Sequence, residues 1–179
     1  MRVAATLVSY IEERDHRLMR RCNRWEAPRL VRWASIYATR GGDGWLWYVL
    51  AIAVLALGGE ERFRVVGAAT FSAMMGVALF LRLKKITGRR RPCALERHCW
   101  ATLLPPDQFS FPSGHSMTAF AICVPVGLVY PMLAPGLTLC AMLVAASRIL
   151  LGMHFLSDVV VGSVLGALLG YASYALFMV

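Results

Sequence analysis

Charged residues are scarce in this sequence, and acidic ones are scarcer still. Only 16% of the 179 residues are charged, 10 acidic residues stand against 19 basic ones, and 58% of the chain is hydrophobic. A water-soluble domain carries about 25% charged residues, so this composition excludes an ordinary soluble protein. The sequence is therefore that of a membrane protein.

The sequence also lacks the segments that divide or process longer chains. With no Ser/Gly-rich or low-complexity linker, we expect one membrane-embedded domain over residues 1–179. Glu12, Glu13 and Asp15 precede any long apolar run, which is not the pattern of a cleaved signal peptide, so we expect the mature chain to begin near Met1. The net charge of +9 favours membrane anchoring and phosphate binding over nucleic acid, because basic and aromatic residues do not alternate on a polar scaffold.

Apolar segments predict an all-α, polytopic transmembrane bundle. Residues 1–42 predict one or two amphipathic helices at the membrane interface, forming an N-terminal arm. The five predicted spans run approximately over Trp45–Leu57, Val65–Leu83, Ser113–Tyr130, Pro135–Leu150 and Leu156–Val179. A sixth span over Pro28–Thr39 stays open, although Arg29 and Arg32 would each cost about 2.5–3.5 kcal/mol at mid-membrane.

Alternation of these spans brings three polar runs to one membrane face. One span ends at Lys84, the next begins at Ser113, the next ends at Arg148 and the last begins near His154. Polar and ionisable side chains are costly beside lipid, so their convergence at one face indicates a functional site.

Three cations in these runs would suit a dianionic phosphate. Lys84 offers a point charge, and Arg91 and Arg148 offer planar guanidinium forks. Considered alone, the basic cluster from Arg82 to Arg91 is equally typical of a juxtamembrane anchor. Only the position of Lys84 and Arg91 within the three-part pattern distinguishes them from their neighbours.

The run Pro112-Ser113-Gly114-His115 predicts the start of a helix that holds an anion. Gly114 would let a phosphate approach the backbone, and the free N–H groups at a helix start favour negative charge. Ser113 would add a hydroxyl donor, and His115 beside such a cradle predicts a general acid for the leaving group. In isolation the run would be a helix cap with a stray histidine.

His154 and Asp158 are four residues apart, so on a helix they share a face and the carboxylate can accept a hydrogen bond from one ring nitrogen. The other nitrogen is then free to attack phosphorus and form a phosphohistidine. An isolated pair of this kind is as readily a satisfied histidine at a helix start.

Together the three runs resemble the signature of the type 2 phosphatidic acid phosphatase (PAP2) superfamily, position for position. The matching runs are Lys84-x6-Arg91-Pro92, Pro112-Ser113-Gly114-His115 and Ser147-Arg148-x5-His154-x3-Asp158. The resemblance covers residues 84–158 and implies a membrane-bound lipid phosphatase that uses no metal and no cofactor.

The resemblance also implies a role for each motif residue. His154 would be the nucleophile, Asp158 its orienting partner and His115 the acid for the leaving group. The phosphate would be bound by Lys84, Arg91, Ser113, Gly114 and Arg148.

The lipid that carries the phosphate is less narrowly defined. The resemblance favours undecaprenyl pyrophosphate or a glycerophospholipid such as phosphatidate or phosphatidylglycerophosphate, in a bacterial inner membrane. A lipid-linked phosphotransferase would use the same site, and a non-catalytic lipid-binding or transport protein is the alternative from another class. Oligomeric state stays undefined.

Two observations bear on which membrane face carries the site. Five spans put the arginine-rich arm on the motif face, which the positive-inside rule makes cytoplasmic, whereas many family members resemble outward-facing enzymes. Cys93 and Cys99 bracket part of the loop between the second and third spans. A disulfide between them would indicate an oxidising face, and free thiols would suit the cytoplasm.

Overall fold

The computed structural model of the chain describes residues 2–95 and 107–179 and confirms the all-α prediction. Its described helices are α1 (Arg2–Arg24), α2 (Arg29–Gly41), α3 (Trp45–Leu57), α4 (Arg62–Thr87), α5 (Pro92–Leu95), α6 (Gly114–Val129), α7 (Ala134–Leu150) and α8 (Leu156–Met178).

Each of the five predicted spans is a helix in the structure. α4 and α8 are long and apolar enough to cross a membrane, and α3, α6 and α7 are shorter apolar helices. α4 is longer than predicted because Arg62 and Thr87 extend it beyond the apolar stretch. It ends where Gly88 adopts a left-handed conformation with φ of 59°, which a glycine reaches without strain.

The glycines of α8 allow it to lie directly against α6. A Cβ atom on Gly162 would lie 2.5 Å from the carbonyl oxygen of Ser113, and one on Gly166 would lie 2.2 Å from that of Met117. The missing side chains let the two backbones touch, as small residues do between membrane helices. This contact sets the start of α6, with His115, beside the start of α8, which follows His154.

The N-terminal arm lies on the face of the bundle that carries the motifs. Ala27, which precedes α2, packs against Leu151 and Met153. Thr39, in the last turn of α2, accepts a hydrogen bond from the guanidinium of Arg148. Both ends of α2 therefore contact residues 148–153, at the end of α7 that carries the motif. The sixth span over Pro28–Thr39 stays open. The location of the arm at the membrane interface stays a prediction.

The loop between α4 and α6 folds back on itself around α5. Arg90 and Phe109 form an isolated antiparallel bridge, and the backbone N–H of Ser110 donates to the carbonyl of Arg89 at 2.8 Å. These contacts bring Asp107 and Ser110 close to Arg91. The question of a Cys93–Cys99 disulfide is unanswered, because Cys99 lies outside the described residues.

Because α6 and α8 lie so close, we expect that adding even a methyl group at a glycine of α8 lowers the free energy of unfolding. We expect Gly166→Ala to destabilise the protein by about 1–3 kcal/mol, since the new methyl group would overlap a backbone oxygen. Gly136→Ala is the matched control, because a Cβ there meets nothing within 4 Å. Thermal unfolding in detergent measures both, and equal midpoints for the two variants would contradict the packing.

Candidate active site

A cavity of about 800 Å³ lies between α3, α4 and α6. Six of the eight predicted site residues line it: Lys84, Arg91, Gly114, His115, Arg148 and His154. The rest of the wall is mainly apolar and comes from α3, α4 and α6. The structure therefore brings the three motif runs to one end of a single cavity, as the alternation of spans predicts.

The three cations of the cavity come from different parts of the chain and are all buried. Lys84 is in the last turn of α4, Arg91 precedes α5, and Arg148 is in the last turn of α7. Buried positive charges are stable only with compensating anions or acceptors. The Nε atom of Arg148 is buried and has no hydrogen-bond partner among the described residues, so its N–H could donate to a bound anion.

Hydrogen bonds at both ring nitrogens set the tautomer of His154. Its Nδ1 lies 2.6 Å from the carbonyl oxygen of Ser110, which can only accept, so Nδ1 carries the proton. Its Nε2 lies 3.1 Å from Nη1 of Arg91 and accepts from it. The lone pair of Nε2 therefore points to Arg91 in the cluster of buried cations, where a nucleophile would face a bound anion.

His154 is neutral because its surroundings disfavour the proton. Burial lowers the pKa of His154 to about 3, and the nearby guanidinium groups of Arg148 and Arg91 act in the same direction. The negative charge of Asp158 raises the pKa of His154, but by less than burial and the guanidinium groups lower it. A neutral imidazole is the form that can attack phosphorus.

Asp158 lies near His154 but makes its hydrogen bonds elsewhere. Its Oδ2 is 3.7 Å from Nδ1 of His154, beyond hydrogen-bond distance, and the Ser110 carbonyl takes the place predicted for the carboxylate. Asp158 accepts instead from the backbone N–H of Phe155 at 2.8 Å and from Arg89 at 2.6 Å. Its influence on the ring at this distance is that of a nearby charge.

His115 and Ser113 occupy the start of α6 with different surroundings. Nε2 of His115 lies 2.7 Å from Oδ1 of Asp43, in the turn between α2 and α3. Oγ of Ser113 accepts from the backbone N–H of Ser116 at 3.4 Å and bonds its hydroxyl at 2.9 Å, so Ser113 caps the helix. Unlike Gly114 and His115, Ser113 does not line the cavity.

Asp107 is a site residue that sequence reasoning missed. Its carboxylate bonds Nζ of Lys84 at 2.6 Å and Nη2 of Arg91 at 2.9 Å. Burial alone would raise the pKa of Asp107, but the hydrogen bonds from Lys84 and Arg91 outweigh it and hold the pKa below its ordinary value. The carboxylate is thus paired with two of the cations to which a phosphate would bind.

Sequence reasoning also missed three side chains that bond motif residues, those of Asp43, Arg89 and Thr39, and Asp15, which bonds Arg89. Asp43 lies among glycines in the turn before α3, and Arg89 lies in the basic cluster from Arg82 to Arg91. Asp15 and Thr39 belong to the N-terminal arm and carry no motif. The acid among glycines at position 43 is the one signal that a closer reading of the sequence could have used.

Comparison with known proteins agrees with the geometry. The family model of the PAP2 superfamily matches residues 63–178. The chain is 37% identical over 131 residues to the decaprenylphosphoryl-5-phosphoribose phosphatase of Mycobacterium tuberculosis, covering 71% of this chain and 68% of that one.

Two crystal structures share the fold. Aquifex aeolicus LpxE superposes with a TM-score of 0.72 at 27% identity, covering 89% of this chain and 93% of that one. The transmembrane PAP2-type phosphatidylglycerolphosphate phosphatase of Bacillus subtilis superposes with a TM-score of 0.74 at 23% identity, covering 97% and 89%. The second likeness concerns the fold alone.

The pairing of Asp107 with two cations predicts competition with an anion. We expect Asp107→Asn to tighten inhibition by orthovanadate about fivefold, or about 1 kcal/mol, because the neutral amide competes less for Lys84 and Arg91. Glu60→Gln, at an exposed turn, is the charge-matched control. Weaker vanadate inhibition in Asp107→Asn would show that Asp107 mainly holds the cations in place.

The lowered pKa of His154 predicts a loss of stability in acid. Between pH 6.5 and about 3 the unfolded chain protonates this ring and the folded chain does not, so stability falls as the pH falls through that window. We expect the unfolding midpoint in detergent to drop between neutral pH and pH 4, as judged by circular dichroism, and to drop less in His154→Gln. Identical declines in the two proteins would contradict a neutral buried His154.

Proposed function

Because this chain belongs to the PAP2 superfamily and is, by its relatives, a membrane lipid phosphatase, we propose that it removes a terminal phosphate from a lipid through a phosphohistidine on His154. One observation carries this proposal: a single cavity joins a cluster of buried cations and two imidazoles to an apolar wall. A phosphate fits the polar end and a hydrocarbon chain fits the apolar end.

In the proposed complex the phosphate displaces Asp107 from Lys84 and Arg91. The unpartnered Nε of Arg148 gains an acceptor, and the first backbone N–H groups of α6, at Gly114, face negative charge at a helix N-terminus. These fixed donors supply the charge stabilisation that a phosphoryl transfer requires. The proposed reaction is therefore independent of a metal ion.

Nε2 of His154 then attacks phosphorus in line with the bond to the lipid. The P–N bond forms as the P–O bond to the lipid breaks, and the doubly protonated ring of His115, whose Nε2–H donates to Asp43, gives its Nδ1 proton to the leaving oxygen. The Ser110 carbonyl and the charge of Asp158 stabilise the positive ring of the phosphohistidine. Water, deprotonated by His115, attacks the phosphohistidine, which releases inorganic phosphate and restores Nε2.

The apolar wall supports a lipid as the carrier of the phosphate. It comprises Trp47, Leu50, Val54, Val66, Ala73, Val77, Phe80 and Leu81, with others from the same helices. These residues belong to α3 and α4, so a substrate chain would enter from the bilayer between them. We propose a prenyl-linked or glycerophospholipid phosphate as substrate, including undecaprenyl pyrophosphate, and the bacterial inner membrane as the location.

Purified protein is expected to release inorganic phosphate from dioctanoyl phosphatidate or farnesyl pyrophosphate in the presence of EDTA. His154→Ala should lower kcat by about 10⁴-fold, because the nucleophile of the covalent route is lost. Lys85→Ala, at the exposed neighbour of Lys84, is the control. Denaturation in alkaline detergent, in which the P–N bond is stable, should trap labelled phosphohistidine in the wild-type and Lys85→Ala proteins and not in His154→Ala.

Unchanged turnover in His154→Ala would remove the covalent mechanism. Product analysis with alcohols added as acceptors distinguishes hydrolysis from phosphotransfer, since a phosphotransferase would form new phosphate esters in preference to free phosphate.

A further inference from the structure

The guanidinium of Arg89 joins two buried carboxylates from opposite ends of the chain. Its Nη1 donates to Oδ1 of Asp158 at 2.6 Å and its Nη2 donates to Oδ2 of Asp15 at 2.8 Å. Asp158 is fully buried and Asp15 is 4% exposed. Two buried carboxylates are stable only if a cation offsets them, and Arg89 serves both.

The surroundings of Arg89 keep it charged and fix its plane. Burial works against its charge, but Asp158 and Asp15 outweigh burial and raise the pKa of the guanidinium. The group also lies over the ring of Phe155, 4.3 Å from the centroid, in a cation–π contact. Contacts to two carboxylates and a ring leave the guanidinium one orientation.

Asp15 also attaches α1 to the first turn of α8. Its Oδ1 accepts from the backbone N–H of Ser157 at 3.1 Å, and its Oδ2 accepts from the hydroxyl of the same residue. The ring of His16 packs edge-on against Phe155, with centroids 5.1 Å apart. α1 is therefore fastened to the segment that lies between His154 and Asp158.

We propose that Arg89 and Asp15 are positioning residues for the reaction: Asp15 fixes Arg89, and Arg89 fixes the Asp158 carboxylate and the turn that carries His154. This inference rests on the proposed function. Asp158 has no hydrogen bond to His154, so its distance from the ring depends on what holds the carboxylate. Arg89 and the Phe155 backbone hold it, and Asp15 prevents the guanidinium from moving.

The proposal gives the N-terminal arm a part in catalysis. α1 lies outside residues 63–178, which the family model matches, and Arg89 is one of the six residues between Lys84 and Arg91 that the motif leaves unspecified. A purely structural role for this cluster would instead affect folding and substrate binding together. The two roles therefore differ in which kinetic constants change.

The test compares two conservative variants with two exposed neighbours. Arg89→Lys keeps the charge but loses the planar fork that spans both carboxylates, and Asp15→Asn keeps the shape but loses the charge. Arg90→Lys and Glu12→Gln are the matched controls, since both side chains are exposed. The measurements are kcat and KM on dioctanoyl phosphatidate, inhibition by inorganic phosphate, and the thermal unfolding midpoint in detergent.

We expect kcat to fall about 100-fold in Arg89→Lys, because a small displacement of the nucleophile is enough for such a loss. Asp15→Asn should lose less, and the double variant should be no worse than Arg89→Lys, because the two residues act in one series. KM and inhibition by inorganic phosphate should stay at the control values, and the unfolding midpoint should fall by only a few degrees, because each variant weakens a buried ion pair and keeps the fold. If Arg89→Lys fails to fold, Asp15→Asn decides by the same comparison.

Two results would overturn the inference: wild-type kcat in the folded variants, or a loss of kcat accompanied by an equally large loss of phosphate binding and a large drop in the unfolding midpoint. His154→Ala, assayed alongside, separates this failure from that of the proposed function. If His154→Ala is inactive while Arg89→Lys and Asp15→Asn turn over normally, only the positioning role is wrong. If His154→Ala is active, the proposed mechanism itself is wrong.

Discussion

Positive charge buried around one cavity is the constraint on which the rest of the structure depends. Lys84, Arg91 and Arg148 surround the cavity at the membrane face, where each charge is costly without a partner. Asp107 balances part of this charge in the free protein, and a phosphate would balance more of it. The same charge contributes to keeping His154 neutral, so the electrostatics that would bind an anion also keep the proposed nucleophile unprotonated.

The contact between α6 and α8 sets the positions of the two histidines relative to these charges. Glycines let the two backbones touch, and that contact sets the helix start that follows His154 beside the one that includes His115. Around this pair, Asp43 holds one ring, the Ser110 carbonyl holds the other, and Arg89 holds Asp158. The site is thus a backbone contact between two helices, surrounded by groups from the other segments of the chain.

The sequence predicted the parts of this arrangement that follow periodic or motif rules. Apolar length predicts the helices, and alternation across the membrane places Lys84, Arg148 and His154 at one face. The sequence could not predict the ion pair of Asp107 with Lys84 or that of Asp15 with Arg89. Such pairs join distant segments of the chain, and no local sequence pattern encodes the directions in which their side chains point. The expected Asp158–His154 hydrogen bond does not form, because His154 precedes α8 and is not part of it, and its Nδ1 donates to the Ser110 carbonyl.

By itself the sequence determined the fold class, the membrane setting and the chemical groups available to the site. The lengths of the apolar segments and the types of residue at the motif positions are local properties that do not depend on how the helices pack. Tertiary structure alone decided which groups hold those residues. Hydrogen bonds and ion pairs require approach within a few ångströms, and only the packed helices bring the N-terminal arm and the loop before α6 that close to the motif residues.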